Sequence, residues 1–143
     1  MNINESGITW AHDPNNPVAI NPARATKSGH SIDGAIISDI GRGGAFTWPP
    51  EYTNYPWVGM EGFIAQAHML TRAGYPAWEV SQQAPRRAVA YLKYLSEEFG
   101  EIWWDRTHWV KYLVNSAYQT NFPADTANSG FIMAWTDWTH GQP

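Results

Sequence analysis

The 143-residue sequence contains no cysteine, no long hydrophobic run and few charged side chains. Without cysteine, a disulfide framework and a thiolate zinc site are both excluded. No apolar stretch approaches the roughly 20 residues that a membrane-spanning helix needs. The first residues carry neither the basic nor the apolar region of a signal peptide. From the chain itself we therefore expect no membrane partner and no export signal.

Charged residues make up 15% of the chain, and the formal net charge is −4. A typical domain has about 25% charged residues. The nine basic residues are scattered along the sequence, whereas nucleic-acid binding requires a clustered basic face. We therefore expect no nucleic-acid partner. An acidic sugar remains compatible with this composition, because one or two well-placed arginines suffice to bind a carboxylate.

Aromatic and uncharged polar residues take the place of the missing charge. Nine tryptophans, seven tyrosines and five phenylalanines amount to 15% of the chain. Tryptophan and tyrosine carry a polar atom that needs a partner when buried, so we do not expect all of these rings in a core. Some are expected to line a ligand surface, as in carbohydrate-binding proteins. Aromatic residues are also enriched at protein interfaces, so a structural or assembly role stays open.

The hydrophobic pattern predicts a single, mainly α-helical domain over residues 1–143. Residues 1–56 read as mostly extended or loop, because proline, asparagine and glycine recur there. Residues 57–119 are expected to contain three helices. Residues 120–143 are expected to form a loop and an aromatic tail, which reads as either a strand or the start of a helix.

The three helices are predicted at about 57–73, 84–99 and 105–118, where apolar residues recur at spacings of three and four. Gly74 follows the first helix as a natural terminating residue, and Asp105 is the expected N-cap of the third. The first two helices have the pattern of an antiparallel helical hairpin.

The segment 41–56 combines glycines, prolines, aromatic rings and polar side chains. Such a composition suits a sugar-binding loop, in which rings cover the apolar face of a pyranose while amide and carboxylate groups reach its hydroxyls. The alternative is a well-packed surface loop whose rings cover the helix ends. The candidate substrate-binding residues in and next to this segment are Trp48, Glu51, Tyr52, Asn54 and Trp57.

None of the five histidines has a metal-binding spacing, so no metal site is predicted. His30 lies in a Ser/Gly-rich loop and is the histidine best placed for a site, whereas His68 lies beside an apolar helix stripe and reads as structural. The C-terminal half offers a second aromatic and polar wall with Asn121, Trp135 and His140. The alternative is that these residues anchor the last helix and the tail.

The run DIGRGGAFTWPPEYTNYPWVGMEGFIAQAHMLTRAGYPAW, residues 39–78, contains an acidic–Ile pair leading to Arg42, an Asn54-Tyr55 pair, and then a long helix. This order of features resembles the alginate-lyase-like polysaccharide lyases, and the resemblance extends over roughly residues 27–140. It implies an incomplete α/α toroid, built from antiparallel helical hairpins with long irregular loops around a cleft for an acidic polysaccharide or oligosaccharide.

The reaction implied by the resemblance is β-elimination at a uronic acid. The substrate carboxylate must be neutralised, its C5 proton removed and the leaving oxygen protonated. By the resemblance, Arg42 neutralises the carboxylate and Tyr55 transfers protons, with Tyr52 as a competitor and His30 as a further catalytic candidate. No cofactor is implied.

In these lyases a catalytic Asn-His pair precedes the arginine on an earlier helix, and none precedes Arg42 here. The chain is therefore expected to be the C-terminal part of a larger lyase, with an upstream region missing, or a compact relative. A homo-oligomer is also expected if a cut toroid exposes apolar helix faces. The resemblance implies an extracellular or periplasmic location. A non-catalytic carbohydrate-binding protein and a structural subunit derived from this fold remain alternatives.

Overall fold

The computed structural model describes residues 23–40, 46–104, 108–125, 133 and 135–141. Helices account for most of this part of the chain, so the prediction of a mainly α-helical protein is confirmed. The arrangement of those helices as a toroid stays a prediction. Within the described ranges, no helix is both long and apolar enough to cross a membrane.

The described residues form two short strands and five helices. In chain order they are β1 (Thr26–Lys27), β2 (His30–Ser31), α1 (Ile37–Ile40), α2 (Tyr55–Arg72), α3 (Val80–Phe99), α4 (His108–Tyr118) and α5 (Thr136–His140), with 3₁₀ turns at Ala77–Glu79 and Glu101–Trp104. The strands β1 and β2 pair antiparallel. This hairpin and α1 lie where the sequence reads as loop, because elements of two to four residues leave no periodicity to detect.

The helix α2 begins two residues earlier than the sequence predicts. Tyr55 and Pro56 already belong to it, so the expectation of loop through residue 56 is wrong at its end. The reason is that a proline fits the first helical turn, where its missing N–H is not needed. At the other end Gly74 adopts φ +90°, and the Tyr75 N–H donates to the Leu70 carbonyl at 3.0 Å, which ends the helix as predicted.

The helix α3 starts with an unusual turn. Residues 81–83 have left-handed backbone angles, with φ between 47° and 59°, so the regular right-handed helix begins near residue 84, as predicted. The Arg87 guanidinium donates hydrogen bonds to the carbonyls of Ser81 at 2.7 Å and Gln82 at 2.9 Å. These bonds satisfy backbone acceptors that the left-handed turn withdraws from the helix.

The core lies between the three long helices. The helix α4 packs against both α2 and α3, and the 3₁₀ turn Glu101–Trp104 packs along α3. The predicted N-cap of α4, Asp105, lies outside the described residues. Side chains with at most 2% exposure include Ile32, Trp57, Met60, Ile64, Val89, Leu92, Leu95, Trp103, Trp109, Val110, Leu113 and Val114. Each large apolar side chain buried in this way contributes about 1.5–3 kcal/mol.

Candidate functional site

A cluster of rings joins the hairpin, the loop before α2 and the end of α3. His30 on β2 stacks on Trp48, with ring centroids 4.4 Å apart and planes 14° apart. Phe46 and Tyr94 lie 6.2 Å and 6.5 Å from Trp48, and Phe99 meets it edge-on at 5.4 Å. We call these five residues the His30–Trp48 cluster. Because His30 and Trp48 are half-buried, part of this stack is accessible to a ligand.

A cleft of about 220 Å³ adjoins this cluster and is lined by Ser31, Asp33, Arg87, Ala90, Tyr91 and Tyr94. Arg87 Nη1 lies 2.6 Å from Asp33 Oδ1, and the backbone N–H of Arg24 donates to Asp33 Oδ2 at 2.9 Å. Burial, and then the nearby Tyr94, raise the pKa of the Tyr91 hydroxyl, so it stays protonated. The Asp33–Arg87 pair thus fastens the hairpin region to α3.

The loop before α2 presents its polar candidates to solvent. Glu51 and Asn54 are exposed. The Asn54 carbonyl accepts the N–H of Trp57 at 3.1 Å, while its side chain makes no capping hydrogen bond. Tyr52 is half-buried and meets Trp103 edge-on at 5.3 Å. Glu51 and Asn54 are therefore accessible to a ligand, whereas Tyr52 is partly engaged with the core.

The candidate proton-transfer residue Tyr55 is the first residue of α2 and is 41% exposed. Gly59 lies one turn further along the same helix face. A Cβ atom on Gly59 would lie 2.3 Å from Oδ2 of Asp39, so the end of α1 packs against this face. Asp39 precedes Arg42 by three residues in the sequence, and Arg42 itself lies outside the described residues.

Trp57 is not available for stacking on a sugar, contrary to expectation. It is 1% exposed, and its Nε1–H donates to the Trp103 carbonyl at 2.8 Å. Trp104 contacts it edge-on at 5.5 Å, and the Lys111 ammonium lies 5.1 Å from its ring centroid. The sequence indicated that Trp57 is buried, because Trp57 lies three residues before Met60, on the same face of the helix.

Lys111 is a buried cation that the sequence analysis did not single out. It is fully buried on α4, and Nζ donates to the Trp104 carbonyl at 2.8 Å. The ammonium also lies 4.3 Å from the Trp104 ring centroid. A buried ammonium is costly unless it has such hydrogen-bond and ring partners. The available signal was a lysine between Val110 and Tyr112, in an otherwise apolar run of the helix.

A larger cleft, of about 590 Å³, opens next to Trp104. It is lined by Lys93, Ser96, Glu101, Ile102, Trp104, Pro123 and Asp125. Its volume falls in the range of about 300–1,000 Å³ that is typical of small-molecule sites. The Lys93 ammonium lies 3.0 Å from Glu97, so this cation is already paired.

The C-terminal candidates present exposed rings. Trp135 is 52% and Trp138 is 80% exposed, and the two indoles meet edge-on with centroids 5.6 Å apart. Asn121 is also exposed. The Thr136 hydroxyl donates to the Trp109 carbonyl at 3.2 Å, which anchors α5 to α4. The accessible indole of Trp135 agrees with its candidate role in stacking, and Trp138 is a further candidate.

His140 at the end of α5 approaches His68 on α2. Their ring centroids lie 5.2 Å apart and their planes are 81° apart. Burial, and then the charge of His68, lower the pKa of His140, which favours its neutral form. The sequence suggested a structural role for His68 and no link to His140. Among the described residues, no group of three or more histidine, aspartate or glutamate side chains is arranged to hold a metal ion.

Apart from Asn121, which follows α4, the described candidates thus occupy three regions: the His30–Trp48 cluster, the start of α2 around Tyr55, and α5 with Trp135 and His140. No protein-family model matches the chain, and neither the curated proteins nor the solved structures contain a significant match. Its function must therefore be inferred from its own residues.

Proposed function

We propose that this chain is part of a polysaccharide lyase that cleaves an acidic, uronate-containing polysaccharide by β-elimination. The observation that carries the proposal is the packing of α1 against the start of α2. Asp39 lies at Gly59, on the helix face that begins with the exposed Tyr55. Because Arg42 follows Asp39 so closely in the sequence, the proposal assigns carboxylate neutralisation to Arg42 and proton transfer to Tyr55.

The chemistry of β-elimination suits these two side-chain types. The C5 proton of a uronate is removable only if the negative charge that develops on the neighbouring carboxylate is stabilised. An arginine fork matches the two carboxylate oxygens. The electrons of the C5–H bond then form the C4–C5 double bond, the C4–O bond breaks, and the leaving oxygen takes a proton. A tyrosine in reach of both positions can remove the C5 proton as the tyrosinate, and the hydroxyl formed in this way can then give that proton to the leaving oxygen.

The neighbouring residues suit the binding of the sugar chain. Glu51 and Asn54 are exposed just before α2 and offer acceptors and donors for hydroxyl groups. The half-buried rings of Trp48 and His30 lie further back along the chain, where we assign them to stacking on a flanking sugar. Tyr52 is the alternative proton-transfer residue in this proposal.

The test is turnover of alginate and glucuronan, followed by the ultraviolet absorbance of the unsaturated product. Tyr55→Phe is expected to lower the rate by about 100-fold or more, and Arg42→Ala is expected to do the same. Tyr75→Phe is the matched control, because Tyr75 is 62% exposed and lies beyond the end of α2, and it should keep the wild-type rate. Absence of product with folded wild-type protein on all uronate polymers would refute the proposal. Full activity in Tyr55→Phe with loss in Tyr52→Phe would transfer the role to Tyr52.

A second candidate function is carbohydrate binding without turnover, and the exposed pair Trp135 and Trp138 favours it. Two neighbouring indoles that expose half or more of their surface commonly mark a binding site. This function predicts that oligosaccharides quench tryptophan fluorescence without forming product, and that Trp138→Ala weakens this response while Tyr75→Ala does not. If the pair instead forms a protein interface, Trp138→Ala would abolish a concentration-dependent oligomer and sugars would have no effect.

A further inference from the structure

We propose that His68 and His140 together bind a divalent transition-metal ion of the Zn²⁺, Ni²⁺ or Cu²⁺ type. This inference is independent of the lyase proposal. Its first support is the separation of the two rings, whose centroids lie 5.2 Å apart. With zinc–nitrogen bonds of about 2.0–2.1 Å and tetrahedral angles, the centres of two ligating imidazoles lie about 5 Å apart. The two rings are therefore already spaced for one shared ion.

The hydrogen bonds of His140 assign the nitrogen that would bind the metal. The Thr139 hydroxyl donates its single proton to the Trp135 carbonyl at 3.2 Å. The same oxygen lies 2.7 Å from His140 Nδ1, and the tautomer that fits this donation to Trp135 carries its proton on Nδ1. Nε2 then carries the free lone pair. Metal-binding histidines are oriented in this way, with the second ring N–H donated to a fixed acceptor.

The two histidines are held by separate, well-anchored elements. His68 belongs to the long helix α2, and α5 is fixed to α4 through the Thr136–Trp109 hydrogen bond. Imidazole ligands favour zinc, nickel and copper over magnesium and calcium.

Two protein ligands define an open site. A structural zinc site normally has four protein ligands, and no described third His, Asp or Glu completes a group with this pair. Water or an added ligand would fill the remaining positions, so binding should be reversible and of about micromolar affinity rather than tight. The exposed indole of Trp135, whose carbonyl accepts the Thr139 hydroxyl, lies close enough to report binding by fluorescence quenching.

The test is calorimetric titration of the full chain with Zn²⁺, Ni²⁺ and Mg²⁺ at pH 7.5. We expect one equivalent of Zn²⁺ or Ni²⁺ to bind and Mg²⁺ not to bind. His68→Ala and His140→Ala should each weaken binding at least tenfold. His30→Ala is the matched control, because His30 stacks on Trp48, and it should bind like the wild type. Equal affinity in His68→Ala and the wild type, or no binding at millimolar metal, would overturn the proposal.

A second measurement needs no variant and therefore does not depend on variant folding. Substoichiometric Cu²⁺ is added to the wild-type protein, and the imidazole NMR signals are followed. The signals of His68 and His140 are expected to broaden first, together with the indole signal of Trp135, while the His30 signal persists. Broadening centred on a different histidine would refute the assignment.

Discussion

Replacement of Gly34 by alanine tests how closely the segment after the hairpin packs on α3. Gly34 has φ +91°, and an added Cβ would lie 1.9 Å from the Arg87 carbonyl oxygen and 2.4 Å from its carbon. The left-handed backbone alone costs a non-glycine residue about 1–2 kcal/mol. The contact with backbone atoms also forces the segment away from α3 and strains the Asp33–Arg87 pair. We expect Gly34→Ala to lower the free energy of unfolding by about 3–5 kcal/mol, which is near the upper end for single substitutions.

Gly29→Ala is the matched control for this prediction. Gly29 also has a left-handed backbone, with φ +79°, but an added Cβ would meet no atom within 4 Å. Its replacement should therefore cost only the backbone strain, about 1–2 kcal/mol. The difference between the two variants isolates the close approach of Gly34 to α3.

The assay is equilibrium unfolding in urea, followed by far-ultraviolet circular dichroism, with the free energy of unfolding obtained by linear extrapolation. Since a domain of this size has a total stability of about 5–15 kcal/mol, Gly34→Ala is expected to shift the midpoint strongly. If the two variants differ by less than about 0.5 kcal/mol, which is the usual range for substitutions without a structural effect, the contact between Gly34 and Arg87 does not exist in solution.

Three further predictions concern buried hydrogen bonds and pH. Trp57→Phe removes the N–H that donates to the buried Trp103 carbonyl at 2.8 Å, and should lower the free energy of unfolding in urea by about 1–3 kcal/mol. Asn115→Ala releases both the N–H and the carbonyl of Phe122, each bonded at 2.8 Å, and should cost a similar amount. Because the folded state lowers the pKa of His140, the unfolded chain binds that proton first, so stability should fall as the pH drops below about 6.5. Thermal unfolding should show that His140→Gln loses less stability at acid pH than the wild type does.

Each of these predictions has a contradicting outcome. Wild-type stability in Trp57→Phe would mean that the indole N–H is not needed by the Trp103 carbonyl. Wild-type stability in Asn115→Ala would show that its side chain does not hold the segment after α4. Parallel pH profiles for the wild type and His140→Gln would mean that this imidazole has the same pKa in both states.

The long helices were predictable from local signals. The apolar spacing located α2 and α3, and Gly74 marked where α2 ends. The start of α2 was placed too late because Pro56 was read as a helix breaker, although a proline is favourable in the first turn. The hairpin at residues 26–31 was not predicted, because strands of two residues carry no alternating pattern. Its position depends on the Asp33–Arg87 contact, which joins distant parts of the chain.

The candidate site was less predictable, because its contacts depend on packing between distant segments. The apolar spacing could have placed Trp57 in the core. Its position next to segment 41–56, whose composition suits a sugar-binding loop, instead suggested a binding residue. The burial of Lys111 between indole rings depends on the turn that carries Trp104. The pairing of His68 with His140 arises only when α5 packs back on the helices, so the spacing of the histidines in the sequence could not predict it.

The mass of the products formed from a defined oligouronate tests the lyase proposal most directly. In β-elimination no water is consumed, so the masses of the two products must add up to the mass of the substrate, and one product must carry an unsaturated terminal sugar. Hydrolysis would instead add one water to that sum. We expect mass spectrometry to show the first pattern with the wild-type protein and intact substrate with Arg42→Ala. Products heavier by one water, or substrate left intact by the folded wild-type protein, would contradict the proposal.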